Sequence, residues 1–376
     1  MARTESTRLA PDLSYDYVDY HDYHGQNGEA VDIGNLYRKI YGLGPRSSTL
    51  RQTRYPYPEA FDPEWIHEYG TNGKCIWWVV TNSHKGDSVI GSVTIPLDFE
   101  HGRGLVRGLL IDPDYQGLGL GGYIYNKLWL LLEQRTKGKI QIFWCENRTA
   151  HPKSQKIAEG IGFRPVGILP NKDVFLDKRE SDLLMARYAR NTLKSRRTEP
   201  TLIPELLHGT RGIYPVIQKQ FRLEDAIRSD IPRVRANGYD VRGQIANDKY
   251  DYLYCTFRTN GSQLKCLVNP RIHCAEKLWF TPEIEPTELA TLLRFARTTL
   301  SPALNYMECY VSAYEPDIQR VFADSGFTAT GYIPGWDVVG QTREDRIIFS
   351  WVRELPPLSA MQLTRRASKI ASIFLS

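Results

Sequence analysis

Several things are missing from this sequence, and each absence narrows what the protein is. No stretch approaches the roughly 18 consecutive apolar residues that a membrane-crossing helix needs, so no membrane partner is expected. The first residues, MARTESTRLAPDLSYDYVDYHDYH, contain no apolar core of a secretory signal. The six cysteines (Cys75, Cys145, Cys255, Cys266, Cys274 and Cys309) form no CxxC pair, which fits reduced thiols and a cytoplasmic location. The histidines show no HxxxH spacing, so no metal is expected. There is no Gly-x-Ser-x-Gly elbow to support a serine hydrolase. Charge of one sign is also scarce. A net +5 over 376 residues suits an anionic small molecule but lacks the basic stripe of a nucleic-acid binder.

What remains is an ordinary globular composition, 41% hydrophobic and 24% charged, long enough for two or three domains. Alternation predicts a strand over Ser14 to His21. Val31, Ile33, Leu36, Tyr37 and Ile40 predict a helix over Glu29 to Tyr41. YPYPEAFDPEWI reads as a turn-rich aromatic segment. CIWWVV, VIGSVTI and GLVRGLLI read as strands. A glycine-rich turn and helix follow, then the strand KIQIFWCE, a helix stopped at Gly162, and the strand DLLMARYA. The order β-α-β-β-β-α-β-α-β is a mixed α/β fold class. RNTLKSRRTEPT reads as a linker, and the last residues, from LSAMQ onward, as a docked amphipathic helix.

The second half repeats the first. Aligned without a gap at an offset of 164, residues 145–188 and 309–352 share eleven of 44 positions. The pairs include Cys145/Cys309, Pro152/Pro316, Gln155/Gln319, Gly162/Gly326, Phe163/Phe327, Gly167/Gly331 and Asp173/Asp337. In the second copy the glycine turn is replaced by LWFTPEIEPTEL. Glu285 and Glu288 stand where an anion would need N–H groups. The expected organisation is a first domain over 1–190, a linker over 191–200, a degenerate second copy over 201–356 and a helical tail over 357–376.

The informative stretch is IDPDYQGLGLGGYIYNKL. Gly117, Gly119 and Gly122 formally fit the dinucleotide pattern GxGxxG. That pattern should open a parallel βαβ unit directly after its strand. Here five residues separate Ile111 from Gln116's neighbour Gly117, and hairpin-linked strands precede them. A purely structural turn is the plain alternative. The third reading is a cradle of backbone amides at a helix start, suited to a diphosphate.

Taken with Gln116, Gly119 and Gly121, and with GIGF at Gly160–Phe163 closing a later helix, this stretch resembles the acyl-CoA loop of the GNAT superfamily of N-acetyltransferases. The resemblance covers residues 14–189. It extends over about 200–354 as a degenerate tandem copy lacking the coenzyme loop.

It implies an acyl-CoA donor, most simply acetyl-CoA, and direct transfer to a primary amine of a small molecule or amino-acid-type acceptor in a ternary complex. Leu109, Leu110 and Ile111 would supply amides to the thioester oxygen. Gln116, Gly117, Leu118, Gly119, Leu120, Gly121 and Gly122 would hold the diphosphate, with Gln116 in place of the commoner arginine. Arg103, Arg107 and Lys153 are candidate sources of nearby positive charge. The tyrosine that the superfamily uses as general acid is here Ala158, and its usual asparagine is His151. His151 and Ser154 therefore stand as candidates to contact the coenzyme or the leaving sulfur, with Tyr125 a further acid. Glu146 is the first candidate base; Asp98 and Glu100 follow. YDYVDYHDYH and YPYP are candidate walls of the acceptor site. The other functions compatible with the sequence are a catalytically silent binding module, an acyl-carrier-protein donor, and decarboxylation of an acyl thioester. A homodimer is compatible with all of them.

Overall fold

A computed structural model describes residues 18–26, 28–42, 55–207 and 212–375. The chain forms two compact units, one of residues up to 99 together with 103–140, the other of residues 100–102 together with 141–376.

In the first unit, β1 (Val18–Asp22) pairs antiparallel with β2 (Cys75–Asn82), and β2 with β3 (Ser88–Asp98). β3 carries two short strands along its other edge, β4 (Arg103–Leu105) and β5 (Arg107–Ile111). Helices α1 (Glu29–Tyr41), α2 (Pro63–Thr71) and α3 (Leu120–Thr136) complete the unit. α1 follows its pattern: Ile33, Leu36 and Tyr37 are buried, with Glu29 and Asp32 in the first turn and Arg38 and Lys39 in the last, as the helix dipole favours. The predicted first strand is present from Val18; residues 14–17 lie outside the described residues.

Two expectations need correction here. GLVRGLLI is not one strand: it breaks at Val106, and β5 carries one extra residue between Arg107 and Leu110, opposite Thr94 and Ser92, with Gly108 at φ 62°. The turn-rich reading of YPYPEAFDPEWI missed α2. Asp62 caps that helix by accepting from the Glu64 amide at 3.0 Å, and Pro63 occupies the first turn.

The second unit contains β6 (Ile142–Arg148), α4 (Lys153–Gly160), β7 (Arg164–Phe175) and β8 (Lys178–Tyr188). Then come β9 (Thr201–Leu202), α5 (Pro204–Leu207), α6 (Ile213–Phe221) and β10 (Ile227–Arg228). A meander follows: β11 (Arg242–Asn247), β12 (Leu253–Arg258), β13 (Gln263–Asn269) and β14 (Cys274–Phe280). The chain continues through α7 (Pro286–Leu300), β15 (Tyr306–Ser312), α8 (Pro316–Asp324), β16 (Thr328–Val339), β17 (Thr342–Val352) and α9 (Arg365–Leu375). The strands of the main sheet run in the order β6-β8-β7-β16-β17-β15-β14-β13-β12-β11, antiparallel except for β14–β15. β7 was absent from the expected order. Its Pro165, Gly167 and Pro170 read as breakers, but register shifts between Pro165 and Gly167 and between Leu169 and Asp173 absorb them. The expected linker is packed rather than loose: Arg196 is buried and its Nε donates to Asp345 at 2.7 Å. The tail helix docks through buried Ala367, Ile370 and Ala371.

The sequence β6-α4-β7-β8 recurs as β15-α8-β16-β17, and residues matched by the offset of 164 play matched parts. Gly167 and Gly331 oppose each other where β7 meets β16. Gln155 and Gln319 are both fully buried. Gln155 donates to the carbonyls of Arg148 (3.1 Å) and Gln362 (3.0 Å) and accepts from the Thr364 amide (3.1 Å). Gln319 donates to the carbonyls of Ser312 (3.0 Å) and Thr201 (2.9 Å) and accepts from the Ile203 amide (3.1 Å). The segment that follows each set of elements thus crosses to the other set's helix.

The glycine junction allows a direct test. A Cβ on Gly167 would lie 2.8 Å from the Gly331 Cα and 3.0 Å from the Thr330 carbonyl, so backbone would have to move. Gly167→Ala is expected to lower unfolding stability by about 1–3 kcal/mol, measured by urea titration.

Candidate active site

β5 is hydrogen-bonded to β3 along one edge, and its other edge has no strand partner among the described residues of its unit. After Ile111 the chain turns through Asp112, whose carboxylate accepts from the Asp114 amide at 3.0 Å. Lys39 of α1 clamps this turn, donating to Asp112 at 2.6 Å and Asp114 at 2.7 Å. Tyr115 is anchored by the buried Asn82, whose amide donates to its hydroxyl at 3.1 Å. The loop that follows is therefore held at its root.

Gly117 and Gly119 have φ of 82° and 81°, a left-handed backbone that favours glycine, and Gly119 is the N-cap of α3. No side chain caps that helix, and its first amides have no intrahelical acceptor. Among the described residues the amides of Gly117, Gly119, Leu120, Gly121 and Gly122 find no acceptor. Nothing lies within 4 Å of a Cβ built on Gly117 or Gly122, so the mouth is open. Gln116 does not reach outward: its Nε2 donates back to the Ile111 carbonyl at 3.0 Å. Gln116 thus ties the strand end rather than facing the loop's mouth.

The other candidates of this unit are placed as follows. Asp98 accepts from Arg103 Nε at 3.0 Å, so the two close the β3–β4 hairpin as an ion pair. Arg107, at the start of β5, lies over the Tyr57 ring at 5.1 Å. Tyr55, Tyr69 and Glu59 also act on its charge. Tyr55 meets Tyr57 at 5.6 Å, and Trp65 stacks on Tyr69 at 4.5 Å within α2. Tyr55 and Tyr57 of YPYP thus lie beside Arg107, and residues 15–17 of YDYVDYHDYH lie outside the described residues.

Glu146, His151 and Ser154 belong to the second unit. Glu146 is held by Lys172, which donates to its two oxygens at 3.0 and 3.1 Å. Lys172 is only 2% exposed and also approaches Glu308 at 3.4 Å and Glu276 at 3.8 Å. Burial pushes Glu308 up to about 7. Burial does the same to Asp173, also up to about 7, and raises Asp182 in contact with it. Asp173 Oδ1 and Asp182 Oδ2 find no N–H or hydroxyl donor among the described residues. Lys172 thus contacts three carboxylates, with Asp173 and Asp182 close by. The cluster leaves no local sign in the sequence, because its members come from five strands.

His151 sits one residue ahead of Pro152, the N-cap of α4. Burial, and then the Arg148 charge, hold its pKa below the usual histidine value, so it is a neutral imidazole at pH 7. Its Nδ1 is buried without a partner among the described residues. Ser154 lies inside the first turn of α4 rather than at the cap, and its hydroxyl makes no hydrogen bond among the described residues. Ala158, where the tyrosine would stand, is buried. Glu288, in the first turn of α7, accepts through its carboxylate from Thr259 and, at 2.9 Å, from Ser262. Among the described residues no group of three His, Cys, Asp or Glu side chains is placed to hold a metal ion.

The family model for the acetyltransferase (GNAT) family matches residues 44–163. No curated protein matches the chain. Among solved structures, the ribosomal-protein-S5-alanine acetyltransferase from Vibrio fischeri is 17% identical, with a TM-score of 0.37, over 48% of this chain and 97% of its own. A variant of the spermidine N-acetyltransferase SpeG from Vibrio cholerae is 17% identical, with a TM-score of 0.37, over 47% and 96%. The ribosomal-protein-S18-alanine N-acetyltransferase from Escherichia coli is 16% identical, with a TM-score of 0.35, over 46% and 97%.

Proposed function

We propose that this protein transfers a short acyl group, acetyl in the simplest case, from a coenzyme A thioester to a primary amine of a small molecule or amino-acid-type acceptor. The amides of Gly117, Gly119, Leu120, Gly121 and Gly122 at the start of α3, without an acceptor among the described residues, carry the reading. A diphosphate takes its hydrogen bonds from such a row without a lysine. The open edge of β5 suits an extended pantetheine arm, which adds to a sheet as a strand does. Amides of Leu109–Ile111 aimed at the thioester oxygen would lower the barrier by about 3–4 kcal/mol each as oxyanion donors. The thioester supplies the activated acyl group, and the amine attacks it directly.

On the acid–base side, neutral His151 and the free hydroxyl of Ser154 are the candidate donors to the leaving thiolate. Glu146 remains the candidate base and would act by exchanging its Lys172 contact for a water on the amine. Asp98 is second, since it is paired with Arg103 across a hairpin. We assign residues 201–356 to a second GNAT-like copy that kept the strand–helix–hairpin core and lost the coenzyme cradle.

Buried Ala158 favours a second reading, a coenzyme-binding module without turnover. Calorimetry with acetyl-CoA, followed by thiol release over an amine panel, separates the two. Binding with amine-dependent thiol release is expected. Binding without release from any amine supports the silent module, and absence of binding overturns both.

A further inference from the structure

Arg107 has no acceptor for any of its guanidinium N–H groups among the described residues, although aromatic rings surround it. A guanidinium withdrawn from water without an anion loses solvation that a ring face only partly restores. The phenol groups of Tyr55, Tyr57 and Tyr69 are neutral at ordinary pH, and burial raises the Tyr69 pKa further. Glu59 is the weakest of the influences on Arg107. The fork of Arg107 N–H groups is therefore left with room for a hydrogen-bonding anion beside Tyr57.

The position rules out the diphosphate as its partner. Arg107 opens β5, and the glycine loop lies beyond the far end of that strand. Four residues of strand separate Arg107 from Ile111, about 13 Å. The thioester carbonyl is assigned to Leu109–Ile111 between them, so Arg107 stands on the acceptor side of the reacting carbon.

We infer that Arg107 is the anchor for a carboxylate on the acceptor, gripped by its planar fork with Tyr57 and Tyr69 flanking it. The acceptor is then an amine that also bears a carboxylate: an amino acid rather than a polyamine. The inference deepens the acetyltransferase reading and rests on it for the direction of the reaction, but the subsite itself binds without any coenzyme. A fork matches a carboxylate through two parallel N–H···O bonds, which lysine cannot reproduce.

Product binding tests this independently of catalysis. The protein is titrated by calorimetry with a panel of the N-acetyl derivatives of the twenty standard amino acids and with their C-terminal amides, which differ only in lacking the charged carboxylate. The wild type is expected to bind at least one acid ten-fold or more tightly than its amide. Arg107→Gln should erase that preference, Arg107→Lys should restore only part of it, and acetyl-CoA affinity should stay unchanged in both. Circular dichroism confirms that the variants fold. No binding of any acid, equal binding of acid and amide, or a preference that survives in Arg107→Gln overturns the inference. Loss of acetyl-CoA binding by the wild type strikes the acetyltransferase reading instead, because the carboxylate preference is read with no coenzyme present.

Discussion

Gly119→Glu is expected to remove acetyl-CoA binding, by about 100-fold or more, with the protein still folded. Two effects add. A non-glycine residue at φ 81° costs about 1–3 kcal/mol of backbone strain. The new carboxylate also sits among amides that must face a diphosphate, and like charges at one site repel. Three kcal/mol already exceeds a hundred-fold in affinity. Calorimetry on the folded variant reads the loss. Gly138→Glu is the control for strain alone: it has φ 74°, open space around its Cβ, and lies past the opposite end of α3. Normal binding by Gly119→Glu would remove the cradle from the account.

Lys172→Met should have the largest effect on stability, and the effect should depend on pH. Lys172 pairs with Glu146, Glu276 and Glu308, with Asp173 beside it. Removing one partner of a buried ionic group costs about 3–5 kcal/mol. The sign with pH follows from the raised acids. Asp173 and Glu308 bind a proton in the folded protein up to about 7, whereas unfolded carboxyls release it near 4. Their favourable contribution is complete below the unfolded value and fades as pH rises through about 7. Without Lys172 the charged forms have nothing to offset them, so the destabilisation should be small at pH 5 and full at pH 8. Glu308→Gln should reverse part of it at pH 8, since it removes one of the competing charges. Urea midpoints at both pH values give the answer, and a pH-independent loss would mean that Lys172 serves packing alone.

The parts of the fold visible in the sequence are those set by neighbours in the chain. α1 carries its own period and its own terminal charges. The loop before α3 announces itself because glycines are needed where the backbone turns left-handed. α2 was hidden by proline, which starts helices as readily as it breaks strands. β7 was hidden because its prolines and glycine fall where the pairing slips register. Around Lys172 and Arg107 single members were legible (Glu146, Arg107 and YPYP), but not their grouping. Tyr55, Tyr57, Tyr69 and Arg107 look like isolated aromatic and basic residues until the sheet and α2 bring them together. Glu146 was legible as an acid ending a strand, but its ion pair with a lysine from another strand was not.

The crossing of segments at Gln155 and Gln319 has a consequence for how the two sets of elements stay together. Two separate polypeptides that trade terminal arms depend on their concentration to stay together; joined end to end, each arm is always within reach of its dock. The polypeptide between residues 190 and 200 thus does for this molecule what an oligomeric association does elsewhere. Severing it would leave each buried glutamine to meet its arm only by encounter.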